Sequence, residues 1–225
     1  KEKGASLIRG PENYTIYDEV GILVEGWENE PKTPVLMHLY NPPYYQKLLE
    51  NAGYNKDIDW YAFLVTDDTP IKPVFKKIKT RLEQKGFVFR CIDPGNLDAE
   101  VDKLKDFVNQ SWSDNWGHVP YTDAQFEHIK DALKLFLDPR FILMVEYEGE
   151  LVGASISLPD VNPSLKKAGG HLFPFGWWHL LRAKKKATGL RTFLFGVLPE
   201  YRNRGIDVVL VTETIASGRQ YGFSW

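Results

Sequence analysis

The chain has 225 residues, 43% hydrophobic and 26% charged, with a net charge of −2, a balance that suits one large or two small globular domains. That charge excludes nucleic-acid binding by bulk electrostatics, no apolar run reaches the length of a membrane span, and residues 1–10 lack the apolar core of a signal peptide. The lone cysteine, Cys91, excludes an intramolecular disulfide and fits a reducing, cytoplasmic setting.

Taken in order, residues 4–13 are rich in turn formers, with Gly10-Pro11 as punctuation. Residues 20–25 and 35–40 read as short strands on either side of a polar connector at 28–34. Pro42 and Pro43 lead into a helix over 44–52 that stops at Gly53. Residues 60–65 read as a third strand, and 66–73, with two Asp, two Thr and two Pro, as a linker.

Residues 74–85 form a basic amphipathic pattern ending at Gly86, read as a solvated helix. Residues 87–92 read as a strand, and Cys91 within it as a buried structural thiol. A helix over 97–111 carries Leu97, Val101, Leu104 and Val108 on one face. An aromatic loop (112–121) precedes a helix over 122–137, with Thr122 as cap and Gln125 at the capping-box position, closed by Asp138-Pro139. Runs 141–147 and 151–158 flank Glu148-Gly149-Glu150 as a hairpin.

Residues 161–191 form an insertion with five Lys, two Arg and no acidic residue, and with Phe173, Phe175, Trp177 and Trp178. Three readings stay open: a loop packing its aromatics on the core, a cover over a ligand, or a membrane-surface patch.

Residues 192–198 read as a buried strand, ended by Pro199 and Glu200. Arg202-Asn203-Arg204-Gly205 makes a polar turn, and 206–217 a helix closed by Gly218. The first amides of such a helix lack intrahelical acceptors, and the helix dipole adds positive potential there. A pyrophosphate fits that arrangement.

Arg202-Asn203-Arg204-Gly205-Ile206-Asp207, following Val197-x-Pro199, resembles the acyl-CoA-binding motif of the GNAT superfamily of N-acyltransferases. Five of six positions fit; Asp207 stands where the family has Gly or Ala. The order from Phe87 (strand, helix, helix, strand, strand, insert, strand, helix) is also that of the family through its cofactor helix. The resemblance implies a mixed, mostly antiparallel sheet flanked by helices, with the strand before the motif beside 151–158. Asn41, Tyr45, Leu48, Leu49, Gly53 and Tyr54 resemble the family's closing element. Residues 1–73 are therefore read as a partial related domain plus linker, and 74–225 as an acyl-CoA-binding domain cut short after the cofactor helix. A single rearranged domain is the other reading.

The implied reaction is transfer of an acyl group, acetyl in the simplest case, from acetyl-CoA or another acyl-CoA to a small-molecule or peptide amine. No metal, nucleic acid or stable membrane insertion is expected. The resemblance assigns the cofactor to Val197, Leu198, Arg202, Asn203, Arg204, Gly205, Ile206 and Asp207. The Leu198 amide would face the developing oxyanion. No catalytic base is assigned; His118 and His171 are candidates by residue type, ahead of His128 and His179. The remaining readings are a non-catalytic binding module of the same fold and a peripheral membrane protein using 161–191.

Overall fold

One turn sets the centre of the molecule. Glu148 and Gly149 both adopt positive φ, 52° and 86°, as a two-residue hairpin turn requires. The apolar runs beside it pair as β4 (Ile142–Tyr147) and β5 (Glu150–Pro159). In this computed structural model, which describes residues 4, 6–13, 15–28, 34–134, 136–169, 171, 173 and 176–225, β3 (Phe87–Cys91) pairs with β4, and β6 (Leu190–Val197) with β5. The product is a four-stranded antiparallel sheet, order β3-β4-β5-β6. The fold is thus mixed α/β, with β6 beside β5 as expected. A separate ribbon joins β1 (Glu12–Asn13) to β2 (Glu19–Val20).

Helices cover both faces, so β5 is buried from Val152 to Pro159. On one face lies α3 (Leu97–Ser111), which buries Val101, Leu104, Phe107 and Val108; each such side chain contributes about 1.5–3 kcal/mol. On the other lies α7 (Ile206–Gln220), whose Ile206, Val209 and Leu210 are at most 1% exposed. Two glycines let these helices approach. A Cβ at Gly196 would stand 2.8 Å from Ser111 Oγ of α3, and one at Gly153 3.1 Å from Ile206 of α7. Helix α2 (Pro73–Glu83) packs along α7 and buries Leu82. Helix α4 (Asp123–Lys134) starts with the expected capping box: Gln125 N–H donates to Thr122 Oγ1 (3.3 Å) and Thr122 N–H to Gln125 Oε1 (3.0 Å).

Several expectations are corrected. Helix α7 does not close at Gly218. That residue packs against Leu190, 3.2 Å from where a Cβ would sit, and the chain reverses at Gly222, φ 80°. Cys91 is exposed, at the end of an edge strand, with its thiol 3.7 Å from Arg140 O. Of the three strands expected in the N-terminal segment, only Glu19–Val20 pairs. Residues 35–40 instead turn, with Met37 at φ 60° and His38 N–H bonded to Val35 O. Residues 60–65 form no strand ladder with any described residue. Only α1 (Tyr45–Asn51) matches the pattern there. The connector's residues 29–33 lie outside the described residues.

The N-terminal segment nevertheless packs on the sheet unit. Leu36 N–H donates to buried Asp160 (3.1 Å), Asn162 Nδ2 to Pro34 O (2.7 Å), and Trp60 meets Trp116 edge-on at 6.3 Å. The insertion is not a loop over the core. Its described part is a helical hairpin, α5 (Asn162–Ala168) and α6 (Gly176–Lys186), with Phe173, Trp177 and Trp178 exposed. Phe175 lies outside the described residues.

Candidate functional site

The outer edge of β6 is where the strand–turn–helix offers backbone to a ligand. Strand pairing alternates inward and outward groups along an antiparallel strand. Leu198 N–H donates to Val152 O at 3.0 Å, so Leu198, Gly196 and Leu194 face β5, and Val197 and Phe195 face outward. Side chains confirm this phase. Trp112 Nε1 donates to Phe195 O (3.0 Å) and Arg202 Nε to Val197 O (3.3 Å). The outward carbonyls are thus capped, which leaves the Phe195 and Val197 N–H groups at the edge. Leu198, expected to face an oxyanion, has its amide committed to the sheet instead. At the strand's start the edge is closed: Leu190 N–H donates to Trp225 O and Ser224 N–H to Thr188 O, each 2.8 Å.

Beyond β6, Asn203 (φ 59°) and Gly205 (φ 90°) turn the chain sharply into α7. Gly205 is the N-cap and offers no side-chain acceptor to the helix. The first-turn N–H groups therefore point to an uncapped end. Asp207 is exposed in that turn. The two arginines serve different ends. Arg202 binds Ser111 O (2.7 Å), Val197 O and Asp114 (3.2 Å), tying the turn to α3 and the loop after it. Arg204 bonds Glu200 O (3.0 Å) and stands over Tyr201 at 5.1 Å, with its side chain on the surface. A Cβ at Gly205 would meet an Ile78 methyl of α2 at 2.8 Å, so the glycine lets α2 come close to the turn.

A cleft of about 1400 Å³ opens beside this edge. Thr192 and Phe195 of β6 line it, with Val211 and Ile215 of α7, and the N-terminal segment supplies Val35, His38, Leu39 and Trp60. His38 is half-buried, and burial followed by the charge of Arg191 holds its pKa below the ordinary imidazole value. Both causes favour the neutral imidazole, the form that can accept a proton. In the sequence His38 lies within residues 35–40, a run with the composition of a strand, and nothing there marks it as a base. Trp116 also lines the cleft, under Arg9 at 4.5 Å.

His118 lies behind that wall. It hydrogen-bonds Tyr17 Oη through Nδ1, and Tyr17 stacks on Trp112 at 5.1 Å. Burial pushes the Tyr17 hydroxyl up to about 12. Neither His118 nor Tyr17 lines the cleft. His128 lies on α4 and His179 on α6, while His171 is an exposed residue of the insertion. None of these three lines the cleft. Among the described residues no group of three or more His, Cys, Asp or Glu could hold a metal ion, and no helix is long and apolar enough to cross a membrane.

No family model matches the chain. It is similar to Protein YghO of Escherichia coli (strain K12), 33% identical over 214 residues, which cover 93% of this chain and 54% of that protein. It is also similar to Bacterial ceramide synthase of Caulobacter vibrioides (strain NA1000 / CB15N), 34% identical over 204 residues, 90% of this chain and 52% of that protein. The chain thus spans about half the length of the curated relatives it matches. One similar solved structure is a GCN5-related N-acetyltransferase from Sphaerobacter thermophilus, with 18% identity and a TM-score of 0.41 over 62% of this chain and 34% of that one. Another is the GCN5-related glucosamine N-acetyltransferase region of a fungal multi-domain β-N-acetylglucosaminidase, with 17% identity and a TM-score of 0.46 over 80% of this chain and 19% of that one. The order of strands and helices from β3 to α7 is the order that the sequence resemblance implied.

Proposed function

We propose that this protein is an acyl-CoA-dependent N-acyltransferase whose acceptor is the amine of a long-chain, lipid-like molecule. The observation that carries the reading is Phe195 of β6, which lines a large, mainly apolar cleft and whose backbone N–H points away from β5. An amine attacking a thioester builds negative charge on the carbonyl oxygen, and fixed N–H donors beside that oxygen lower the barrier. Phe195 and Val197 are the donors of this kind. The uncapped start of α7 would receive the pyrophosphate. His38 is the base assigned here: it takes a proton from the nitrogen of the attacking neutral amine as the C–N bond forms. The C–S bond then breaks, the leaving thiolate takes up the proton removed from the amine, and CoA departs as the thiol. A cleft of about 1400 Å³ exceeds what an acetyl group and a small amine need. The name of the Caulobacter relative supports the acceptor class, since a ceramide is the amide of a fatty acid and a long-chain amino alcohol.

The test is a matrix of acyl-CoAs, from acetyl to palmitoyl, against a long-chain 2-amino-1,3-diol, a polyamine and a small primary amine. Thiol release and amide mass are read together. The proposal expects turnover with the long-chain acceptor, and loss of turnover with retained CoA binding in His38→Gln. Acetylation of small amines alone would contradict the lipid acceptor. No thiol release with any pair would contradict the enzyme reading.

A second reading is a non-catalytic binding module. It is favoured by Asp207, which puts a carboxylate at the pyrophosphate position, and by Arg202, which is committed to the protein's own groups. That module would keep the fold and bind CoA or another partner without turnover.

A further inference from the structure

The α5–α6 hairpin carries a surface that the proposed reaction does not use. Residues 161–191 hold seven cationic side chains and no acidic one, in a chain whose net charge is −2. On α6, Trp178, Arg182 and Lys185 share one face by helical spacing. Gly176 and Ala183 occupy the opposite, buried face. The Arg182 guanidinium stands 4.0 Å over the Trp178 ring, and Trp177 meets Trp178 edge-on at 5.7 Å. Trp177 and Trp178 are 42% and 45% exposed, Leu165 of α5 42%, and Phe173 between the helices 80%. Lys166, Lys167, Lys185 and Lys186 are exposed around them. Lys184 is directed elsewhere, to Leu137 O.

We propose that the α5–α6 hairpin docks the protein on an anionic phospholipid bilayer, lying in the interface without crossing it. Lysines and Arg182 meet the lipid phosphates, while Trp177, Trp178, Leu165 and Phe173 enter the headgroup–acyl boundary. The mixture decides the partner. A nucleic-acid duplex needs the cations but gains nothing from exposed Leu165 and Phe173, whereas an interfacial helix pairs Lys and Arg with Trp and Leu. Position supports the same choice. The hairpin is rooted at the cleft: Asn162 at the start of α5 bonds Pro34 O, next to cleft residue Val35, and α6 leads into Leu190 and Thr192 of its wall. A docked hairpin therefore holds the cleft against the membrane surface.

The experiment is sedimentation of the purified protein with phosphatidylcholine vesicles, with and without phosphatidylglycerol, in the absence of CoA and amine. Its outcome is thus independent of the acyltransferase reading. The proposal expects binding to the anionic vesicles only, weakening as salt rises. Lys185→Glu with Lys186→Glu should weaken binding by about tenfold or more. Trp177→Ser with Trp178→Ser should also weaken it, and should abolish the blue shift of tryptophan fluorescence on vesicle addition. Circular dichroism checks that both variants fold. Absence of sedimentation with anionic vesicles overturns the proposal. So does binding that both folded double variants retain. Equal binding to duplex DNA, unaffected by the tryptophan changes, overturns it too, since the patch would then be a general polyanion surface.

Discussion

The sheet unit and the N-terminal segment in front of it are built by different rules. From Phe87 to Gln220 the chain is held by a continuous strand ladder and by helices that bury apolar stripes on both faces. From Pro34 to Val65 it has one short helix and otherwise meets that unit through isolated hydrogen bonds and ring contacts. Trp60, Tyr61 and Phe63 stay 58%, 78% and 88% exposed. The difference separates stability from chemistry. The sheet unit supplies the rigid edge at Phe195, and the segment shaped against it supplies His38 and much of the cleft wall. Functional groups are often carried in this way by irregular chain on a fixed scaffold.

The comparison can be broken first at the core. Leu210→Ala, at a residue 1% exposed between α7 and Gly153, should cost about 2–5 kcal/mol in urea unfolding. A loss below that range would mean that the sheet unit is not what carries the stability.

A pH-dependent effect follows. Arg90 of β3 pairs with Glu100 of α3 and Glu146 of β4. Arg90, with a smaller part from Lys103, holds the buried Glu100 carboxyl at about 2 against an ordinary 4.5. A lowered folded pKa stabilises above the unfolded value, so this contribution is complete above pH 4.5 and is lost as pH falls towards 2. Glu100→Gln should be less stable at neutral pH and should flatten the stability curve across that window. An unchanged curve would remove the pair from the account.

Gly205→Ala should cost at least about 1–2 kcal/mol, because a left-handed backbone disfavours any side chain. The Ile78 contact adds to it. The smallest effect on folding belongs to the other region. Trp60→Ala should change stability by about 0.5 kcal/mol or less, while weakening use of long acyl or amine chains in the thiol-release assay. If Trp60→Ala destabilises as much as Leu210→Ala, the two regions are not distinct.

Legibility in the sequence follows the same division. The hairpin at Glu148-Gly149, the capping box of Thr122 and Gln125, and the β6–turn–α7 unit were all readable, because each is fixed by residues close in sequence. Residues 35–40 and 60–65 look like strands by composition, but no neighbouring strand is placed to receive them; contacts with Asp160 and Trp116 decide their path. The helices of the insertion were hidden by Gly169-Gly170 and Pro174, which punctuate it as a loop would. Within the site, the motif located the turn but not the use of its groups. That Arg202 clamps α3, and that Leu198 N–H lies in the ladder while Phe195 N–H lies outside it, depend on register, which composition does not carry.

The central claim is that the outward N–H groups of β6 receive the acyl-CoA. Residue-resolved amide exchange by NMR, with and without saturating CoA, tests it most directly. The account predicts that Phe195 and Val197 amides exchange more slowly when CoA is bound, together with the first-turn amides of Ile206 and Asp207, while Gly196 and Leu198 stay as protected as before. Protection unchanged at Phe195 and Val197, in a protein that binds CoA, would contradict it and place the cofactor elsewhere.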